Sequence, residues 1–195
     1  MKDKEVIIEV SARHVHLTQE QVEILFGKGH NLTPKKYLSQ PGHFLAEERV
    51  NIIGPKKIFE NVAILGPVRN SAQVELSMSD CFSLGVEGQL RESGDTIGTS
   101  GVKICTNESK LYLDEGVIVA QRHIHMTPDD ARKIGVKNKE LVNVKIETGI
   151  GRDLIFSDVV IRISENSALS MHIDTDEGNA AMIKKGVKGK MLEKV

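Results

Sequence analysis

The hexapeptide Arg13-His14-Val15-His16-Leu17-Thr18 returns later in the chain as Arg122-His123-Ile124-His125-Met126-Thr127. On a β-strand, side chains two residues apart share a face, so each His-x-His presents both imidazoles to one side, about 7 Å apart along the strand. Two imidazoles so placed can lean onto one metal ion. Val15 and Ile124 point the other way, and their β-branched apolar side chains suit a core.

A third ligand for each pair comes from a second repeat. Ile58-Phe59-Glu60-Asn61-Val62 matches Ile155-Phe156-Ser157-Asp158-Val159 at an offset of 97. The same offset lays Val74-Glu75-Leu76 onto Met171-His172-Ile173. Glu75 and His172 therefore take equivalent strand positions. His14, His16 and one further residue form one candidate set; His123, His125 and one further residue form the other. Three N or O donors with an open position are the pattern of catalytic zinc, whereas closed structural sites take four ligands, often Cys. Cys81 and Cys105 fall at no ligand-like spacing and read as small apolar fillers. His30 and His43 lie in an irregular stretch and read as solvated.

Arg69 breaks the repeat, because the offset pairs it with Asn166. A guanidinium near two cations points to an anionic ligand, since its fork matches phosphate or carboxylate. A solvated loop arginine is the competing reading. Arg13 and Arg122 are expected to brace their strands.

The elements that must hold these residues are short. Thr18 with Gln21 reads as a capping box opening a helix over 19–26, and Thr127-Pro128 opens another over 128–134; Gly27 and Gly135 stop them. Strands are expected at 6–10, 46–53, 58–65, 73–78, 102–106, 111–113, 117–120, 141–147, 154–163, 169–173 and 188–193, with a short helix from Ser79 and another from Asp174 or Thr175. The His-x-His offset is 109, twelve more than 97, which fits an irregular insertion in the first half between Gly27 and Ala46. An internal duplication follows, too short for a solenoid. Many short strands with Gly and Pro turns favour a pair of small β-barrels.

Bulk properties narrow the function classes. The 195 residues suffice for one large domain or two small ones, and 39% are hydrophobic, enough for a core that aliphatic residues must fill because aromatics are 4%. A net charge of −1 gives no reason to expect nucleic acid or a membrane surface as partner. No apolar run long enough to span a bilayer or act as a signal peptide precedes the first strand, and two cysteines make no disulfide framework. A cytoplasmic protein with reduced thiols is the expectation.

Together with Leu38-Ser39-Gln40-Pro41-Gly42, Arg91-Glu92-Ser93-Gly94-Asp95 and Met171-His172-Ile173-Asp174-Thr175-Asp176-Glu177, the two histidine motifs resemble those of the PduL-type phosphotransacylases, the phosphate propanoyltransferases. The resemblance covers nearly the whole chain. It implies a mainly β fold of two pseudo-symmetric β-barrels with short capping helices and the active site at their interface. The barrels are interleaved: residues 3–12 plus 121–193 make one, and 13–120, with an insertion at about 27–47, make the other. It implies reversible transfer of a propanoyl or acetyl group between coenzyme A and inorganic phosphate. It places two zinc ions, or other divalent transition metals, on His14, His16, Glu75, His123, His125 and His172. Phosphate falls to Arg69. Coenzyme A, as substrate, falls to Ser11, Lys36, Leu65, Phe82, His172 and Asn179, while Ala63 stands where relatives often carry a basic residue.

The same resemblance suggests coupling to a kinase that consumes acyl phosphate, and it admits a homodimer. A bacterial microcompartment is the alternative location, although about a dozen residues before His14 are too few for a targeting helix ahead of the first strand. In the expected mechanism phosphate attacks the thioester directly, with His14, His16 and His172 near sulfur and His123, His125 and Glu75 near phosphate. Two other classes stay open on the residues alone. One is a cupin-like oxygenase using His-x-His with Glu and a further His. The other is a scaffold in which zinc merely pins two barrels together.

Overall fold

The computed structural model describes residues 4–192. Asp3 and Glu193, the outer limits expected for the first barrel, lie outside the described residues. The first elements are β1 (Glu5–Ser11), β2 (His14–His16), α1 (Gln19–Phe26), β3 (Pro34–Tyr37), β4 (Phe44–Ile53), β5 (Ile58–Gly66), β6 (Gln73–Glu75), α2 (Met78–Leu84), β7 (Leu90–Arg91), β8 (Ser100–Cys105) and β9 (Lys110–Ala120). Then come β10 (His123–Met126), α3 (Pro128–Ile134), β11 (Leu141–Ile146), β12 (Leu154–Ile163), β13 (Ser170–Asp174), α4 (Thr175–Ala180) and β14 (Lys188–Met191).

Contacts group the chain into two compact units, one joining the segment through Ser11 to the segment from Gln121 onward, the other running Ala12–Ala120. In the first unit, β1, β13, β10, β12, β11 and β14 close into a barrel. In the second, β4, β5, β2, β6 and β9 follow one another, and β8 pairs with both β9 and β4 to complete a ring. The expected mainly β architecture of two barrels with short helices is the one the chain adopts.

The two rings share one pairing scheme. Each His-x-His strand runs parallel to one neighbour and antiparallel to the other: β2 to β5 and β6, β10 to β12 and β13. His14 pairs with Ala63 and Glu75; His123 pairs with Val160 and His172. The partners of the two histidines are related by the offset of 97, the histidines themselves by 109. The strand before each His-x-His is exchanged: β1 completes the ring that holds β10, and β9 completes the ring that holds β2. Both bulged partner strands turn at a left-handed residue, Asn61 (φ 55°) and Asp158 (φ 56°).

Each unit has its own core. Val15, Ile64, Val74 and Ile104 centre the second, and Ile124, Val144, Ile161 and Met171 centre the first, all fully buried. Alternation explains the layout: the apolar residue between two histidines enters its barrel, so the imidazoles stand on the opposite face of the strand.

Helix starts follow local chemistry. Thr18 with Gln21, Thr127 with Asp130 and Asp174 with Glu177 form capping boxes. Ser77 ends the expected strand over 73–78 early, because its side chain accepts from the Asp80 N–H and opens α2. The strands expected at 111–113 and 117–120 are one strand, β9, with Gly116 at φ 137° absorbing the irregularity inside it. The insertion is not wholly irregular: β3 pairs antiparallel with β4, its Pro34 tolerated on an edge. Arg13 and Arg122 do brace. Arg13 forks onto Asp80 at 3.1 and 2.5 Å, Arg122 donates to Glu177 at 2.7 Å, and each guanidinium lies over an equivalent ring, Phe59 or Phe156.

Candidate functional site

In the second unit, register alone brings three donors together. His14 and His16 project from one face of β2, and antiparallel pairing sets Glu75 of β6 opposite His14. The carboxylate reaches both rings, with Oε2 at 3.5 Å from His14 Nε2 and Oε1 at 3.6 Å from His16 Nε2. His14 Nδ1 lies 2.9 Å from the Ala12 carbonyl, and His16 Nδ1 lies 3.2 Å from the Leu65 carbonyl. A carbonyl only accepts, so each Nδ1 carries a hydrogen, and each Nε2, the nitrogen left for a metal, faces the carboxylate. The three donor atoms all lie within 4.8 Å of one another. Two imidazoles and a carboxylate with this convergence fit a divalent transition metal.

Charges respond to that crowding. Burial disfavours a charged Glu75, but His14 and His16 outweigh it and hold the carboxyl well below its usual range. Burial also opposes the His14 proton, yet Glu75 raises its pKa above the ordinary value. Burial pushes His16 down to about 4, which keeps that ring neutral, the form a metal binds, at neutral pH.

Arg69 joins this triad through a side-chain network. Its Nη1 donates to Ser93 Oγ at 3.0 Å, and the Ser93 hydroxyl donates to Glu75 Oε1 at 3.2 Å. Gln73 Nε2 donates to Glu75 Oε1 at 2.6 Å and to Ser93 Oγ at 2.9 Å, while its own carbonyl accepts from the Gly94 N–H at 2.6 Å. The Arg69 backbone N–H donates to the Leu17 carbonyl at 2.9 Å. In the other unit the corresponding bond, to Met126, comes from Ser164, so the repeat slips by two residues in this loop. The arginine has no counterpart by either count.

Sequence reasoning assigned no role to Gln73 or Ser93. Gln73 was visible as the residue two before Glu75 on a strand, hence on its face; Ser93 sits in a turn, where spacing says nothing about reach. His43 is not simply solvated. It is half-buried, and burial first, then the Arg69 charge, lower its pKa. His30 is bonded to Glu48 at 2.8 Å rather than free in water. Cys81 is a core filler as expected, Cys105 is half-buried, and neither forms a disulfide.

In the first unit, His123 faces His172 across β10 and β13. The rings of His123, His125 and His172 cluster, with centroids 4.7, 5.4 and 5.0 Å apart. His123 Nδ1 lies 2.8 Å from the Gln121 carbonyl, which leaves its Nε2 3.1 Å from His125 Nε2. His172 Nε2 instead stands 3.0 Å from Ser170 Oγ and 3.2 Å from Glu9 Oε2. Imidazole donors suit zinc, but among the described residues the ligand atoms that converge within 4.8 Å are those of His14, His16 and Glu75. Strand register sets Glu75 beside His14 and His172 beside His123, so within each barrel the third side chain stands with that barrel's own histidine pair.

The expected coenzyme residues divide between the units. Ser11, His172 and Asn179 belong to the first, where Ser11 pairs with Asp174, the N-cap of the helix carrying Asn179. Lys36, Leu65 and Phe82 belong to the second. Lys36 is exposed on β3, Leu65 offers its carbonyl to His16, and Phe82 is 77% exposed on α2 with the Lys56 ammonium 4.8 Å from its ring centre. No helix among the described residues is long and apolar enough to cross a membrane.

Comparison with known proteins bears on this geometry. A family model described as phosphate propanoyltransferase matches residues 7–184. The phosphate propanoyltransferase of Leptotrichia buccalis is 54% identical over 188 residues, covering 96% of this chain and 88% of that protein. Those of Thermotoga maritima and Listeria monocytogenes are 52% identical over 185 residues and 50% over 189, covering 95% and 97% of this chain and 88% of each relative. With the match running through both barrels and half or more of the residues shared with these relatives, the chain belongs to the phosphate propanoyltransferase family.

Proposed function

We propose that this acyltransferase moves a propanoyl or acetyl group reversibly between coenzyme A and inorganic phosphate, with both histidine sets holding divalent metal, zinc foremost. The observation that carries the reading is the Arg69–Ser93–Glu75 chain of hydrogen bonds, which sets an unrepeated guanidinium beside a repeated metal triad. A structural pair of zinc sites would need no such residue.

The reaction asks one phosphate oxygen to bond to the thioester carbonyl carbon while the carbon–sulfur bond breaks. Products are acyl phosphate and the coenzyme thiolate. Bound divalent metal would stabilise that thiolate and screen the phosphate charge, since a free thiol has a pKa of roughly 8.5. Arg69 provides planar donors that match a phosphate edge. Ser93 holds the guanidinium from the side, and Gln73 holds Ser93 and Glu75 in register with it. Phosphate itself is the nucleophile, so no acyl-enzyme is formed. Ser11, Lys36, Leu65, Phe82, His172 and Asn179 are the proposed coenzyme contacts, and the acyl phosphate would feed a kinase. Propanoyl and acetyl differ by one methylene, worth about 1–3 kcal/mol in a pocket, so both are expected to react.

The test is coenzyme A release from propanoyl- and acetyl-CoA with and without phosphate, with acyl phosphate trapped by hydroxylamine. Release that requires phosphate and yields hydroxamate supports the transfer. Equal release without phosphate would leave a thioesterase instead.

A further inference from the structure

The two barrels use one strand scheme, yet they place their carboxylates on different strands. In the second unit the residue opposite His14 is Glu75, and the next strand carries Ile118 beside it. In the first unit the residue opposite His123 is His172, and the next strand carries Glu9 beside it. Glu9 and Ile118 are equivalent by the offset of 109 that relates the two His-x-His motifs. Ile118 is fully buried, so an apolar residue satisfies the framework at this position. The acid at position 9 is not demanded by the barrel.

Glu9 alternates with Val6 and Ile8 along β1: those two enter the core, and Glu9 shares the opposite face with the histidines. Its Oε2 lies 3.2 Å from His172 Nε2. The His172 ring is stacked on His123 with 9° between planes and stands edge-on to His125 at 88°. A carboxylate accepts only, and the Ser170 hydroxyl at 3.0 Å can accept as well as donate, so the tautomer that suits both neighbours carries the hydrogen on Nε2 and the lone pair on Nδ1. Metal-bound histidines commonly give their second nitrogen to such a carboxylate, which orients the ring and makes it a better donor.

We propose that Glu9 is the positioning carboxylate of the three-histidine set, holding His172 in the orientation and tautomer that a divalent metal needs. Each barrel then carries one acid near its two repeated histidines: Glu75 within the ligand triad, Glu9 one strand further round. This inference rests on the metal-binding reading of the histidine sets and adds a residue to it.

Zinc affinity tests it, measured by competition with a chromophoric chelator on the full chain and on its Glu9→Gln and Glu9→Asp variants. Cobalt absorption serves as a second readout. The parent chain should bind two equivalents. Glu9→Gln should weaken one of them about 10- to 100-fold and leave the other unchanged, with Glu9→Asp between the two. A merely structural glutamate would change thermal stability without moving one equivalent selectively. Two equivalents bound by Glu9→Gln as tightly as by the parent would overturn the role of Glu9 while sparing the metal reading. A parent chain that binds no zinc would overturn both.

Discussion

His14 and Glu75 are direct cross-strand partners, their Nε2 and Oε2 atoms 3.5 Å apart. Strand register, rather than a flexible loop, therefore presents the acid to the imidazole pair. Removing its charge should act on metal before it acts on fold. Glu75→Gln keeps the shape and should lose one equivalent of bound metal, with phosphate-dependent turnover falling at least about 100-fold. Elemental analysis beside the rate assay checks this; full metal content with a low rate would assign Glu75 to chemistry other than ligation.

Arg69 acts through its fork. Arg69→Ala should lower kcat/KM for phosphate roughly 100- to 1000-fold, and Arg69→Lys should recover little, because an ammonium cannot make two parallel bonds. Metal content should stay at the parent value. An unchanged phosphate dependence would return Arg69 to the class of surface loop arginines.

Arg13 belongs to the frame and not to the reaction. Its guanidinium forks onto Asp80, whose side chain is 8% exposed, while Arg13 itself is 43% exposed. Arg13→Ala leaves that acid without its main partner but open to some water, so the cost should be about 1–2 kcal/mol. The melting temperature should drop by about 3–6 °C with KM for phosphate unchanged, which differential scanning fluorimetry and steady-state kinetics can separate.

Glu48 ties the insertion down. Burial opposes its charge, but its own backbone N–H, the Thr33 N–H and His30 outweigh that and lower its pKa from 4.5. A depressed carboxylate contributes stability that is present above the unfolded value and lost as pH falls through the folded one. Amide exchange at Thr33 should therefore accelerate as pH drops below 4.5, relative to the intrinsic rate. Glu48→Gln should remove that pH dependence.

Much of the site was legible because β-strands convert spacing into direction. The two His-x-His motifs align at an offset of 109 and Glu75 with His172 at 97, and period-two alternation leaves no freedom in which face each shares. The barrels followed from the same repeat. What escaped notice depends on contacts between residues far apart in sequence. Ser93 meets Arg69 and Glu75 only because a turn folds back over β6, and no periodicity announces a turn's reach. His43 approaches Arg69 from an insertion that has no copy in the other half. The short β7 carries too few residues to show a pattern. Sequence offsets say which positions are equivalent, not which ones hydrogen-bonding register places side by side, so the neighbourhood of Glu75 with His14 and of His172 with His123 could not be read from them.

The claim most exposed to one measurement is that metal held by both histidine sets drives phosphate-dependent cleavage of the thioester. Full chain stripped with a chelator and titrated with zinc should regain phosphate-dependent coenzyme A release only as the second equivalent binds. Undiminished release from chain shown by elemental analysis to hold no metal would contradict the account.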